Sequence, residues 1–378
     1  MHQLNTARRA LHAIRHRLAG LLLCGLAASG QAEPVAEPLP ALGLPAGVTV
    51  SGLSSGGYMA AQFAVAYSAS VDGVGVVQGG PYDCAQGHAL VATTQCSCLP
   101  GGVCKPLNPA VQAPLSWQRA TGQAAAGQID DTAQLQRQRV WLFSGGQDHT
   151  VPAANVATVA AFYRGQAHLP ASRLRWRRDA RAGHGLPVSP PPDDAVGCGL
   201  SASPFLTDCG RDVAHELLDW LYPGRLPAQP AEGGRLLAFD QRPHTAGRGH
   251  TGLADSGYLF VPDACAARGA GCALHVVFHG CSQASGSLDA QGQPMGDRFA
   301  REAGYNRWAA AARLVLLYPQ VAPLDTGAPQ WVYRHNPAAC WDFWGYTQPW
   351  TGWALSRYAT QQAPQMQAVR SMIEALQR

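Results

Sequence analysis

Residues 50–60 read Val50-Ser51-Gly52-Leu53-Ser54-Ser55-Gly56-Gly57-Tyr58-Met59-Ala60. They contain a G-x-S-x-G pattern which, between a strand and a helix, makes a sharp turn that exposes the central serine hydroxyl. Both flanks suit that turn. Gly47 to Ser51 is a short β-rich run, and Ser55 to Ser68 reads as a helix with Ala60, Ala61 and Ala64 on one face. Val71 to Val77 is apolar and β-branched, the pattern of a buried strand. The position of the turn is unusual. Such a turn normally follows several strands, and here very little chain precedes it.

Residues 1–32 shorten that lead further, because they read as an export signal. Arg8, Arg9, Arg15 and Arg17 are basic, Leu18 to Ala28 is a short apolar run, and Gly30-Gln31-Ala32 offers a cleavage site before Glu33. The apolar run falls short of the roughly 20 residues that span a bilayer. No membrane anchor is therefore expected after cleavage, and the expected location is secreted, extracellular or periplasmic. There are 11 cysteines, and without Cys24 the remainder is even. In an oxidising compartment that suggests a disulfide-stabilised fold. Cys198 with Cys209, and Cys265 with Cys272, read as local staples, although sequence does not fix the connectivity. No C-x-x-C pair and no histidine at zinc spacing occurs, so no metal is expected.

Charged residues make up 14% of the chain and the net charge is +4, against a usual charged fraction of about 25%. No basic stripe points to nucleic acid. Ten tryptophans in a chain so poor in charge suit an enzyme that meets apolar or carbohydrate material.

Downstream of Val77, residues 83–135 look irregular and cysteine-rich, a disulfide-pinned excursion. Val140 to Ser144 is a strand followed by Gly145-Gly146-Gln147-Asp148, then a helix from Ala153 to Tyr163. Leu174 to Arg178 is a further strand, followed by Gly183-His184-Gly185. Val213 to Leu221 is a helix. Residues 223–234 are rich in proline and glycine and read as a linker. Beyond it the alternation resumes. Gly257 to Pro262 is a strand, and Leu274 to Phe278 is a strand running into His279-Gly280-Cys281. Asp297 to Ala311 is a helix, Leu314 to Tyr318 a strand and Pro364 to Gln377 a final helix. Strands alternating with helices imply a mostly parallel sheet.

A nucleophilic serine needs a base, an orienting acid and an oxyanion hole. Ser54 is the candidate nucleophile. Asp148, just after a buried strand, is the candidate acid, with Asp130, Asp131, Asp193 and Asp194 as rivals in loops that follow no strand. His184 is the candidate base. His149 shares the loop of Asp148, and His215 falls on a helix. The order Ser54, Asp148, His184 is the order of an α/β-hydrolase. One oxyanion donor is the Ser55 N–H at the helix start. A second usually comes from a loop after an earlier strand, and nothing upstream of Ser54 supplies one. His279-Gly280-Cys281 can, from far downstream. The missing front of the sheet is then at the back of the chain, with the final helix leading into Val48-Thr49-Val50. The fold expected is a circularly permuted α/β-hydrolase with a single domain over 33–378.

Four motifs carry a resemblance. Ser51 to Ala60, Gly145 to Asp148, Gly183 to Gly185 and His279-Gly280-Cys281-Ser282-Gln283 together resemble poly(3-hydroxybutyrate) depolymerases, the type with its lipase box near the N-terminus. The resemblance implies Ser54, Asp148 and His184 as a triad, with Ser55 and Cys281 N–H groups as the oxyanion hole. It also implies a Cys281–Cys340 disulfide and Trp341, with Tyr58, on the substrate crevice. It further implies a polyester or hydroxyalkanoate oligomer as substrate. Acyl transfer by a serine calls for no cofactor, and the chain is expected to be a monomer. No separate polymer-binding domain with a Thr- or Ser-rich linker is expected. Another secreted esterase on this fold, of the feruloyl or acetylxylan kind, is the rival reading, followed by a non-catalytic binding protein.

Overall fold

The computed structural model describes residues 36–99, 101–327, 334–348 and 357–378. The expected signal, with Cys24, lies outside the described residues. The chain enters on β1 (Val48–Leu53), turns at Ser54 into α1 (Ser55–Ala66) and returns on β2 (Val71–Val77). Next come α2 (Pro109–Ala125), β3 (Arg139–Gly145), α3 (Ala153–Ala161), β4 (Leu174–Asp179) and α4 (Val213–Leu221). After the linker come β5 (Arg235–Asp240), β6 (Ser256–Val261), β7 (Ala273–Phe278), α5 (Tyr305–Ala312), β8 (Leu314–Tyr318) and α6 (Pro364–Gln377).

The eight strands form one sheet in the order β4-β3-β2-β1-β7-β8-β6-β5. The strands from β4 to β8 in this order run parallel, while β6 and β5 pair antiparallel at the far edge. Side chains alternate across the sheet. On β3, Val140 and Leu142 join the core under α1, α2, α3 and α6. Trp141 and Phe143 join the opposite core, under α4 and α5. Both faces are thus covered, as a parallel sheet requires.

The centre of the sheet is where the two ends of the chain meet. β1 pairs with β7 in parallel, with Val50 opposite Val276 and Gly52 opposite Phe278. The close of α6 sits at the entrance to β1. The Leu376 carbonyl accepts from Leu42 N–H at 3.2 Å and Leu44 N–H at 3.3 Å, and Gln377 Nε2 donates to Pro45 O at 2.9 Å. The segment at 223–234 joins α4 to β5, so the sheet is that of an α/β-hydrolase whose chain starts in the middle.

Two expectations need correction, and one strand is additional to them. The 83–135 segment is not irregular throughout, because α2 occupies 17 residues of it, capped by Asn108, whose side chain accepts from Ala110 N–H. Its buried positions are Ala113, Ser116, Ala120 and Gln123, so the apolar stripe that marks a helix is faint. The expected helix from Asp297 to Ala311 is broken at Gly304, which has φ +83°, into a short turn at Arg298–Glu302 and α5. Edge strand β5 was not anticipated from sequence. Five disulfides stabilise the fold: Cys84–Cys96, Cys98–Cys104, Cys198–Cys209, Cys265–Cys272 and Cys281–Cys340.

A polar chain runs through the core beside β1. Tyr305 Oη lies 3.1 Å from Ser51 Oγ, which lies 2.8 Å from His275 Nε2. His275 Nδ1 reaches Thr49 Oγ1, which donates to Tyr222 Oη, which donates to the Leu274 carbonyl. One direction of donation satisfies every member. Each hydroxyl gives its proton to the next acceptor, and the imidazole is neutral with its proton on Nδ1. Burial drives the pKa of His275 down to about 3. The unfolded chain takes up a proton on this histidine as pH falls below its ordinary value near 6.5, and the folded chain does not. The group therefore erodes stability progressively from about pH 6.5 down to about pH 3. Above that window it contributes no pH dependence. His275→Gln should remove this acid sensitivity. Paired denaturant titrations from pH 7 to pH 4 should show the wild type losing more stability than the variant, by up to about 1.4 kcal/mol per pH unit.

Candidate active site

Ser54 sits on the turn between β1 and α1 with φ 58° and ψ −122°, a positive-φ conformation that a residue with a side chain seldom adopts. Its own N–H is held by Val77 O at 3.0 Å. Sterics explain the flanking glycines. A Cβ on Gly52 would lie 2.3 Å from Gly56 O, and one on Gly56 would lie 2.3 Å from Phe278 O and 2.4 Å from His279 O. The spacing of the motif is therefore the spacing at which backbone touches backbone. The turn also aims the positive end of α1, beginning with Ser55 N–H, at the space above Ser54.

Asp148 and His184 arrive from the ends of β3 and β4. The two loops are tied together by Gly146 N–H to Asp179 O at 2.8 Å and Gln147 N–H to Ala182 O at 2.9 Å. Asp148 Oδ1 accepts from the backbone N–H groups of Thr150 at 2.9 Å and Val151 at 2.8 Å. Its other oxygen is 2.9 Å from His184 Nδ1. A carboxylate only accepts, so the proton lies on Nδ1 and Nε2 is left as the accepting nitrogen. Both side chains are almost wholly buried, at 0% and 5% exposure.

The rivals lie elsewhere. His149 is exposed. His215 packs against Trp308 with ring centres 4.1 Å apart. Asp130 accepts from Ala69 N–H, Asp131 caps the turn at Ala133 N–H, and Asp194 pairs with Arg298. Asp193 is exposed on its loop. Ser51, which contacts His275, is fully buried inside the sheet and spends its proton in the chain described above, and His244 meets Ser371 at 3.0 Å, neither of them on the cleft.

Ser54 and His184 face a cleft of about 300 Å³, which Ser55, Cys281, Phe205, Phe343 and Trp344 also line. The 280–283 turn closes it from the β7 side and is held at several points. His279 Nδ1 donates to Gly280 O at 2.8 Å, while its Nε2 accepts from Val321 N–H at 3.2 Å. Both nitrogens are used by a neutral ring, and burial pushes its pKa down to about 4. Gln283 accepts from Gly280 N–H at 2.7 Å and donates to Pro204 O at 2.9 Å. Ser282 N–H reaches Ala338 O, and Cys281 is bonded to Cys340. In a trans peptide the N–H points opposite to the carbonyl. Fixing Gly280 O on His279 therefore fixes the direction of Cys281 N–H.

Tyr58 reaches the cleft from α1. Its hydroxyl donates to Cys96 O and accepts from Asn155, and its ring stacks on Phe343 at 4.8 Å. Burial pushes that hydroxyl's pKa well up. Trp341 requires a correction. It is 0% exposed and packs against Phe278 and His279 at 4.8 and 5.5 Å, behind the cleft wall. The reason is the buried carboxylate of Asp342. It accepts from the N–H groups of Trp344, Gly345, Tyr346 and Thr347 and from the Thr347 hydroxyl. That curl turns Phe343 and Trp344 outward to the cleft and leaves Trp341 inside. Phe205, on the loop beside His184, is the other aromatic that sequence did not single out.

Asp179, Cys198 and Cys209 lie close together, but both sulfurs are committed to their disulfide. Among the described residues no helix is long and apolar enough to cross a membrane.

No family model matches the chain. It is 35% identical over 97% of its length to a poly(3-hydroxybutyrate) depolymerase of Delftia acidovorans, of which it spans 66%. It is 34% identical over 93% of its length to a polyhydroxybutyrate depolymerase of Talaromyces funiculosus, of which it spans 96%. Two solved structures superpose with a TM-score of 0.74, each over 90% of this chain and 98% of the other. One is the PHB depolymerase of Penicillium funiculosum, 30% identical, and the other is a PHB depolymerase variant complexed with an R3HB trimer, 29% identical. Fold and relatives together define a carboxylic ester hydrolase built on a permuted α/β-hydrolase sheet. The chain belongs to the poly(3-hydroxybutyrate) depolymerase family.

Exchanging the two tryptophans for alanine separates their places. Trp344→Ala should raise KM for a soluble chromogenic ester several-fold and leave the denaturation midpoint nearly unchanged. Trp341→Ala should cost roughly 3–5 kcal/mol of stability, as core aromatic truncations do. Denaturant titration and steady-state kinetics of the two variants check this.

Proposed function

We propose that this protein is a secreted serine esterase that hydrolyses poly(3-hydroxybutyrate) or its oligomers. The observation that carries the proposal is the buried Asp148–His184 pair, 2.9 Å apart, on the cleft that also exposes Ser54. Relatives named as depolymerases of this polyester, and a similar fold solved with an R3HB trimer, supply the substrate class. Five disulfides are in keeping with export, and residues 1–32 are read as its signal.

In the proposed mechanism His184 Nε2 takes the proton of Ser54 Oγ as the oxygen attacks an ester carbonyl. The negative charge that develops on the carbonyl oxygen is held by Ser55 and Cys281 N–H. The tetrahedral intermediate collapses, the ester C–O bond breaks, and His184 returns the proton to the leaving hydroxyl. Water, deprotonated by His184, then splits the 3-hydroxyacyl–Ser54 ester and frees the acid. Asp148 holds the ring in register and stabilises its cation. The pinned turn at 280–283 matters because an oxyanion donor acts only if it is already in place.

Ser54→Ala should remove ester hydrolysis by a factor of about 10³ or more while the protein stays folded. The check is clearing of an amorphous poly(3-hydroxybutyrate) suspension together with acid release from soluble 3-hydroxybutyrate oligomers. Retained turnover in that variant overturns the nucleophile. Activity of the wild type on acetyl or feruloyl sugar esters, with none on the polyester or its oligomers, overturns the substrate.

A further inference from the structure

Beside the site lies a fully buried polar side chain that the proposed mechanism does not use. Gln78 follows the last residue of β2, with φ 46° and no exposure. Its backbone N–H is held by Phe143 O at 3.0 Å. Its side-chain amide reaches across to the loop after β4. There Nε2 donates to Gly183 O at 2.5 Å, and Oε1 accepts from Gly185 N–H at 2.8 Å. The residue between those two peptide groups is His184. The amide does what a neighbouring strand would do, one donor and one acceptor against one residue's flanking peptides, at a place where the sheet has already ended.

Two further backbone groups around His184 are also held. Gly183 N–H donates to Cys198 O at 2.7 Å, and His184 N–H donates to Ser201 Oγ at 2.9 Å. The route from β2 to this loop is narrow. A Cβ on Gly145 would stand 2.8 Å from Gln78 Nε2 and 2.3 Å from Ala182 O. Gly145 is thus the gap through which the amide passes. Leucine or methionine would fill the volume of Gln78 and would strand a buried carbonyl and a buried N–H.

We infer that Gln78 is a positioning residue for the esterase reaction, fixing the backbone on both sides of His184 so that its ring keeps one orientation between Asp148 and Ser54. The role rests on the functional reading above. Gln78 bonds only to backbone, so it acts through His184 and not on substrate. A ring carried on a loop swings with that loop, and displacement of a catalytic group by about 1 Å costs on the order of 10²-fold in rate.

The test uses the full protein and a soluble 3-hydroxybutyrate ester. Gln78→Met should lower kcat by about ten- to a hundredfold with KM held within about twofold. Gln78→Glu, which keeps the acceptor for Gly185 N–H, should fall between it and the wild type. The low-field proton resonance of the hydrogen-bonded His184 Nδ1–H should be sharp in the wild type and broadened or lost in Gln78→Met. A purely structural role would lower the melting midpoint and leave the kcat-against-KM split and the resonance alone. That result overturns the inference, as does a kcat unchanged in Gln78→Met. If Gln78→Met does not fold, Gln78→Glu carries the kinetic test. Hydrogen exchange in the wild type needs no variant: Gly185 N–H should exchange slowly, and fast exchange overturns the inference. Ser54→Ala is run alongside. If it retains turnover, the functional reading fails whatever Gln78 does. If it is inactive and Gln78→Met is unimpaired, only the positioning role fails.

Discussion

The structure depends on one contact between backbones. At Gly52 and Gly56 the turn after β1 presses against the carbonyls of Phe278 and His279 at the end of β7, with no room for a Cβ on either glycine. A methyl group at either place would push the two strands or the helix apart. The contact sets how close α1 stands to the sheet and where Ser54 rises. It also brings the turn after β7 against the same helix end. Nucleophile and oxyanion turn are therefore parts of a single steric fit.

That fit joins segments from opposite halves of the chain. β1 comes from the start and β7 from the second half, and they are central neighbours in the sheet. The permutation is tolerated because the two natural ends, after α4 and before β5, fall at the surface, where a proline- and glycine-rich connector can join them at little cost. The new start is tied down by Leu42 and Leu44 on the last turn of α6. Long-range parallel pairing is slow to form, and the disulfides at Cys281–Cys340 and Cys198–Cys209 then hold two of the loops it creates.

Around this frame the interior is polar where loops must be held still. His275, His279, Gln283, Asp342 and Gln78 are each buried and each bonded. A buried polar group without partners is costly, and with all partners it enforces one arrangement. The two histidines remain neutral because burial penalises the cation and because their nitrogens are already divided between donating and accepting. These groups hold the backbone of the oxyanion turn, the aromatic wall and the histidine loop.

Much of this was legible in the sequence, because it is written in contiguous residues. Strands β2 and β8 and helices α4 and α6 follow from runs of apolar residues bounded by breakers, and the turn at Ser54 follows from its glycines. The permuted order followed from an oxyanion-like turn lying on the wrong side of the serine. What sequence did not give was set by contacts far apart in the chain. Helix α2 was hidden because it buries small and polar side chains under a loop. The cleft tryptophan is Trp344 and not Trp341, because the hydrogen bonds gathered by Asp342 decide which way the 341–347 loop turns. Likewise, only the folded sheet places Gln78 across the gap at Gly145 from Gly183 and Gly185. A local pattern can specify a strand, a helix or a sharp turn, because those depend on neighbours in sequence. The direction of a side chain in a loop depends on which distant backbone groups it must satisfy, and only the tertiary structure decides that.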